Sequence, residues 1–155
     1  MPKLTSFADA FSDWSSAIKP GVIATYGDND QPALDESWND YTDSLTRDRR
    51  FNGLQYHYCP SLDDDMPDDD KEFLLERMNI QVSSDGTQVT IKRGSESVTL
   101  PVQIEGPLSS EDIFQEVIDI LDDDDDPRHE EITNKIGTVI SRKDLDDLIE
   151  VFNDL

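Results

Sequence analysis

Apolar side chains recur every three or four positions over residues 4–18, a spacing that predicts an amphipathic helix. Ser6 and Asp9 stand three positions apart near its beginning, as in a capping box. The Pro-Gly pair at 20–21 predicts the end of this helix. The short apolar run over 22–26 that follows predicts a strand. The apolar face of the helix consists of Leu4, Phe7, Phe11, Trp14 and Ile18.

The middle of the chain carries a second helical pattern and a second strand pattern. Residues 33–47 have an apolar face opposite an acidic one, which predicts a helix. Apolar and polar side chains alternate over 54–59, which predicts a half-buried strand. Residues 60–70 hold two Asp triplets around a Met-Pro pair and predict an acidic loop, and a short helix is expected over 69–79.

Residues 80–104 contain the clearest strand pattern of the chain. Three alternating apolar runs are separated by turn sequences at Asp85–Gly86 and Arg93–Ser95. This arrangement predicts a three-stranded antiparallel meander. Pro101 lacks a backbone N–H, so the last strand is expected at an edge or at a bulge.

The last third of the chain predicts two further helices. Ser109 and Ser141 each precede an apolar helical pattern and stand three positions before an Asp, as helix caps do. A second acidic loop at 122–127, which ends in Pro, terminates the first of these helices. Residues 128–140 fit either a short helix or a helix followed by a strand. We therefore predict a single α+β domain, with a small antiparallel sheet packed against amphipathic helices from both ends of the chain.

Net charge adds a strong constraint to this pattern. The chain has 36 Asp and Glu against 13 Lys and Arg, a formal charge of −23 on 155 residues. Such self-repulsion works against a compact fold, so a cationic partner or a salty environment is expected to offset it. The same charge repels DNA, RNA and anionic membrane surfaces, which argues against direct binding to any of them.

Acidic residues recur on several predicted elements, and this favours a binding surface for a basic partner over an ordinary solvated surface. Carboxylates three or four positions apart on a helix stand about 5–6 Å apart, and duplex DNA carries one charge per about 1.7 Å of its axis. A row of such carboxylates would resemble a phosphate track to a groove lined with Lys and Arg. The candidate partner-binding residues are Asp63, Asp64, Asp65, Asp68, Asp69, Asp70, Asp119, Asp122, Asp123, Asp124, Asp125, Asp126, Asp146, Asp147 and Glu150, with Asp35, Asp40 and Asp43 as a second group.

In size and acidity, though in no sequence motif, the chain resembles the antirestriction and anti-CRISPR proteins of phages and plasmids. This resemblance in composition implies a non-enzymatic inhibitor that mimics nucleic-acid charge. Its expected partner is a basic nucleic-acid-binding protein, such as a nuclease, a restriction enzyme or a CRISPR effector.

Two other hypotheses explain the same charge. An acidic immunity protein or chaperone would mask one basic toxin or effector by the same complementarity. Halophilic adaptation would instead spread acids over the surface for salt tolerance. The excess of Asp over Glu, 26 to 10, and the presence of only six Lys fit halophily, whereas twelve Ile against five Ala fit it less well.

Catalytic and metal-binding patterns have little support in the sequence. The Asp runs and the Asp28–Asp30 segment lack the alternating ligands and central Gly of an EF-hand. His57 and Cys59 would share one face of the predicted strand, where acidic neighbours would raise the pKa of the thiol, so a packing role is expected. We predict no catalytic residue, no specific metal site and no cofactor. A single Cys and the lack of an apolar leader or a membrane-length segment favour a cytoplasmic location.

Overall fold

The computed structural model describes residues 3–106 and 108–155, and within them the chain forms eight helices and three strands. The helices are α1 (Phe7–Ala17), α2 (Lys19–Tyr26), α3 (Gln31–Arg47), α4 (Gly53–His57), α5 (Asp70–Arg77), α6 (Ser110–Leu121), α7 (His129–Ile136) and α8 (Arg142–Asp154). The strands are β1 (Ile80–Ser84), β2 (Val89–Arg93) and β3 (Glu96–Leu100). The predicted α+β class and the antiparallel meander are confirmed. In the part of the chain so described, no helix combines the length and apolar content that a membrane span requires.

The chain divides into two compact units. The first comprises the described residues up to Asp70, together with Asp154 and Leu155, and contains α1 to α4. The second, Lys71–Asn153, contains α5 from Lys71 onward, the sheet and the helices α6 to α8 up to Asn153. Each unit has its own buried apolar side chains. The single domain expected from the sequence stays a prediction.

Aromatic side chains from α1 and α3 form the centre of the first unit. Trp14 and Trp38 are almost completely buried, and their rings pack edge to face with centroids 5.7 Å apart. The indole N–H of Trp14 donates to Ser37 Oγ at 3.1 Å, and that of Trp38 donates to the carbonyl oxygen of Pro60 at 3.1 Å. Both buried donors are therefore satisfied, and the second bond anchors the beginning of the acidic loop.

The predicted strand over 22–26 is wrong, because these residues belong to α2. Pro20 lies in the first turn of this helix, where its missing N–H costs no hydrogen bond and its fixed φ favours helical backbone. The Pro-Gly pair that ends α1 therefore also begins α2. An apolar run of five residues has too little periodicity to distinguish a strand from a turn of helix.

The predicted strand over 54–59 is also wrong, because α4 occupies Gly53–His57. Asn52 and Gln55 form a reciprocal capping box, in which each side-chain oxygen accepts from the other residue's backbone N–H at 3.0 Å. Gln55 is fully buried although it is polar, and its amide group donates to the carbonyl oxygen of Thr5 at 2.9 Å. The alternating pattern was misleading because one of its polar positions lies in the core.

The sheet has the order β1–β2–β3, with Val82 opposite Ile91 and Ile91 opposite Val98. The third strand ends at Leu100, before the predicted end at 104, because Pro101 cannot donate to a ladder. The buried side chains of the strands are Ile80, Val82, Val89, Ile91 and Leu100.

Helices α6 and α7 pack against the sheet of the second unit. Helix α6 packs against β1 and α7, and α7 packs against β3. Residues 128–140 form α7 and turns, so the short helix is the correct one of the two predicted alternatives. The predicted caps are present, since Ser109 Oγ accepts from Asp112 N–H at 3.2 Å and Ser141 Oγ accepts from Asp144 N–H at 3.3 Å.

We expect Phe114→Ala to lower the free energy of unfolding by about 3–5 kcal/mol. Phe114 is fully buried on α6, and its ring packs on Phe152 with centroids 5.1 Å apart. Urea titration followed by circular dichroism measures the loss. The control is Gln115→Ala, at a half-buried position, which should lower the free energy of unfolding by less than about 1 kcal/mol. Equal losses in the two variants would contradict the assigned buried face of α6.

Candidate acidic interaction surface

Helix α6 has an acidic face opposite its apolar one. Asp112, Glu116 and Asp119 are exposed, and spacings of four and three residues place them on one line along the helix. We call these three residues the α6 acidic row. At 1.5 Å of rise per residue the row spans about 10 Å, or one charge per about 5 Å. A single DNA strand carries one charge per about 3.4 Å, so the row is somewhat sparser than a phosphate strand.

The Asp run at 122–126 continues from the C-terminal end of α6, and its first four members are exposed. Asp122 Oδ2 accepts a hydrogen bond from Asn153 Nδ2 at 2.9 Å. Asp123 Oδ1 accepts from the backbone N–H of Asp125 at 3.0 Å. These bonds give the run a defined conformation, with its carboxylates next to the end of the helix.

Asp126, the last residue of the run, is held by Arg128. Its carboxylate oxygens accept from Arg128 Nε at 3.1 Å and from Nη2 at 3.0 Å, and Oδ1 also accepts from the Arg128 backbone N–H at 2.8 Å. These hydrogen bonds hold the pKa of Asp126 below its ordinary value and raise that of Arg128. Because the pair cancels one negative charge, Asp126 is a weaker binding candidate than the Asp residues before it.

Helix α8 adds a second set of acids. Asp146 and Glu150 are exposed and share one line with Asn153, at spacings of four and three residues. Since Asn153 donates to Asp122, the exposed faces of α6 and α8 meet at the beginning of the Asp run. Asp146 Oδ1 lies 3.1 Å from Arg142 Nε in an exposed pair, which offsets part of its charge. Asp147, another predicted residue of α8, is half-buried.

The outer face of the sheet contrasts with these helices. The register aligns its side chains in two rows, which are Gln81, Lys92 and Ser97, and Ser83, Thr90 and Thr99. All six are exposed or half-buried, and none of these described side chains is a carboxylate. The second unit has twenty acidic and eight basic residues. Of these acids only Glu96 lies on a strand, and it pairs with Arg93 in the other set of alternating positions, so none is on this face.

The acidic loop of the first unit presents most of its predicted residues to solvent. The triplet Asp63–Asp65 and Asp68 are exposed, and Asp69 is half-buried. The hydroxyl of Ser61 donates to Asp64 Oδ2 at 3.3 Å. These carboxylates lie on a loop and lack the regular spacing that a helix gives.

The second group of predicted residues lies on α3 and is only partly available. Asp40 is exposed, whereas Asp35 and Asp43 are half-buried. Asp35 Oδ1 accepts from Gln31 Nε2 at 2.9 Å. Asp43 accepts from the hydroxyl of Tyr56, and this bond raises the pKa of Tyr56.

Asp70 was predicted to be a surface acid, and this is wrong because its side chain is 2% exposed. Each carboxylate oxygen lies 3.0 Å from the backbone N of Phe7, the first residue of α1, and Oδ2 lies 3.2 Å from Gln55 Nε2. Burial raises the pKa of Asp70 to about 6, against the lowering effect of these hydrogen bonds, and the charges of Asp69 and Asp9 add to the rise. Asp70 therefore caps a helix inside the unit and is not available to a partner.

Cys59 and His57 do not share a strand face, because α4 ends at His57. Burial raises the pKa of the Cys59 thiol to about 12, and the negative charge of Asp70 adds to this effect. The thiol is therefore protonated at neutral pH. The ring of His57 packs edge to face on Tyr58 with centroids 4.7 Å apart.

Some residues of the candidate surface were missing from the sequence-based set. Asp112 and Glu116 complete the α6 acidic row. The signal was available, because Asp112 and Glu116 lie opposite the apolar stripe that predicted the helix. Comparison with family models, with curated proteins and with solved structures found no match for this chain.

We expect the stability difference between the natural chain and Asp70→Asn to depend on pH between about 4 and 6. The folded-state pKa of Asp70, about 6, is above its ordinary value of 3.8. The folded state therefore holds a proton that the unfolded state has lost, so the stability contributed by protonated Asp70 is complete below pH 4 and is lost as the pH rises through 6.

The free energy of unfolding of the natural chain should fall by up to about 3 kcal/mol relative to that of Asp70→Asn as the pH rises over this interval. Urea titrations of both proteins at several pH values between 4 and 7.5 measure this difference. A difference that is constant with pH, or that grows in favour of the natural chain as pH rises, would contradict the raised pKa.

Proposed function

We propose that this protein is a non-enzymatic inhibitor whose helical acidic surface occupies the basic groove of a nucleic-acid-binding protein. The surface comprises the α6 acidic row, Asp122–Asp125, and Asp146 with Glu150 on α8. The observation that carries the proposal is the uneven distribution of charge in the second unit, since thirteen of its twenty acids lie on α6, in the Asp run or on α8. Acids line its helices and the adjoining Asp run, whereas the six outer side chains of the sheet include no carboxylate.

Spacing and rigidity support this surface over the other acidic segments. The α6 acidic row lies on a helix whose opposite face is buried, so its carboxylates keep their separation of about 5–6 Å. Asp side chains are short and lose little rotamer freedom when a partner binds them. When a cationic groove binds such a row, the counterions of both surfaces are released to the solution, which raises affinity, and long-range attraction speeds association.

The partner class follows from the charge. A groove lined with Lys and Arg for nucleic acid is complementary to this surface, and nucleases, restriction enzymes and CRISPR effectors are the partners that we propose. The protein would then act in the cytoplasm of the host cell, where such effectors work. An acidic immunity protein or chaperone for one toxin uses the same complementarity, and it differs in having a single cognate partner.

The absence of carboxylates from these six outer positions of the sheet argues against halophilic adaptation. Salt tolerance through acidity requires no particular binding face, so it gives no reason to spare six outer positions of one sheet. We therefore expect the chain to be folded at about 50 mM KCl, with a moderate rise in stability as salt screens repulsion among exposed acids. Thermal unfolding between 50 mM and 2 M KCl measures this. A chain that is unfolded at 50 mM and folds only in molar salt would support halophily instead.

We expect neutralisation of three acids on α6 and in the Asp run to weaken partner binding. In the test variant, Glu116→Gln, Asp119→Asn and Asp123→Asn remove three negative charges from the proposed surface. Each exposed charge should be worth about a two- to fivefold loss of affinity, and the losses should be roughly additive. The control variant, with Ser83→Lys, Ser97→Lys and Thr99→Lys, changes the net charge equally but on the outer face of the sheet.

Each protein is immobilised and exposed to lysate of the cells that encode it, and retained proteins are eluted with duplex DNA and identified by mass spectrometry. The proposal expects a nucleic-acid-binding protein that is retained by the natural chain and the control variant and lost by the test variant. Binding constants are then measured with that purified protein at several salt concentrations. Equal weakening in both variants would indicate a net-charge effect and overturn the proposed surface.

A further inference from the structure

A groove of about 410 Å³ lies along the edge of β1 in the second unit. Glu72 and Glu76 of α5 line it, four positions apart on one face of that helix, and Glu111 in the first turn of α6 lines it as well. Among its described lining residues there is no Lys or Arg. Its buried apolar lining consists of Leu75, Ile80 and Val82.

The backbone at this groove belongs to the outer edge of the sheet. β1 pairs with β2 on one side only. Just beyond the end of β1, the Asp85 N–H donates to the Gln88 carbonyl oxygen at 3.2 Å, so Asp85 and every second residue before it direct their backbone groups towards β2. Alternation along an antiparallel ladder then directs the backbone groups of Ile80 and Val82 away from β2, towards the groove. The hydroxyl of Ser110 donates to the Val82 carbonyl oxygen at 3.0 Å, so one lone pair of this outward carbonyl is already used and the other remains for an added strand.

We propose that this groove binds an extended segment of a partner protein that alternates Lys or Arg with apolar residues. The segment would add a strand to β1 through main-chain hydrogen bonds. Its apolar side chains would lie on Ile80 and Val82, and its cations would face Glu72, Glu76 and Glu111. The site does not depend on the proposed function, because other residues form it and it binds a peptide backbone, not a cationic groove.

The position of the charges distinguishes this edge from one that is protected against pairing. Protected edge strands carry charged residues or Pro on the strand itself. The exposed side chains of β1 within the groove or next to it are uncharged, namely Gln81 and Ser83. The negative charges stand on the flanking helices, where they leave the strand accessible and select a basic segment.

The test uses the full chain and an acetylated, amidated peptide of sequence Lys-Val-Lys-Val-Lys-Val-Lys in about 150 mM NaCl, where exposed charges are screened beyond about 8 Å. Backbone amide chemical shifts and hydrogen exchange are followed by NMR. We expect shifts and slowed exchange at the Ile80 and Val82 amides. A control peptide with N-methyl groups on its Val residues keeps the charge but loses backbone donors, and it should bind about tenfold more weakly.

A pair of charge variants tests the flanking acids. The affinity for the peptide should fall about five- to tenfold in the double variant Glu72→Gln, Glu76→Gln. It should change less than twofold in the control double variant Glu130→Gln, Glu131→Gln, which removes the same charge from α7. Equal affinity for the two peptides would overturn the proposal, and so would chemical-shift changes along the α6 acidic row and not at β1. Shifts at β1 that depend on protein concentration without peptide would overturn it as well, because they would indicate a second copy of this chain at the edge. None of these outcomes bears on the captured partner of the acidic surface, so the two proposals fail separately.

Discussion

Electrostatic repulsion among 36 acidic side chains is the constraint to which the rest of this protein conforms. The helices meet it by placing apolar side chains on one face and carboxylates on the solvent side, where water and salt screen them. Asp70 is the exception, and the backbone N–H of Phe7 and the amide of Gln55 stabilise its charge inside the first unit. Burial nevertheless raises its pKa to about 6, which shows how costly an interior carboxylate is in this chain.

The distribution of the remaining acids is more informative than their number. In the second unit thirteen of the twenty acids lie on α6, in the Asp run or on α8. The hydrogen bond between Asn153 and Asp122 joins α8 to the end of α6. The outer face of the sheet has Lys92 and five uncharged side chains. The acids of α6, the Asp run and α8 suit a partner with a cationic groove, and local pairs such as Asp126 with Arg128 reduce their charge only in places.

Much of the fold could be predicted, and the failures have physical reasons. The caps at Ser6, Ser109 and Ser141 and the meander were correct because short-range hydrogen bonds and alternation determine them. The strands expected at 22–26 and 54–59 were wrong, since both segments are short and their patterns fit either state. In the Asp runs, Asp63–Asp65, Asp68 and Asp122–Asp125 are exposed, Asp69 and Asp126 are half-buried, and only Asp70 is buried. Asp112 and Glu116 were left out of the candidate set.

By itself the sequence determined the charge, the amphipathic helices and the antiparallel sheet, because these depend on composition and on contacts between residues close in the chain. Only the tertiary structure decided which acids remain available. Asp70 is buried because Phe7 and Gln55, 63 and 15 positions away, fold around it, and Asn153 reaches Asp122 across 31 positions. Contacts over such separations arise from packing of whole elements, and no local pattern encodes them.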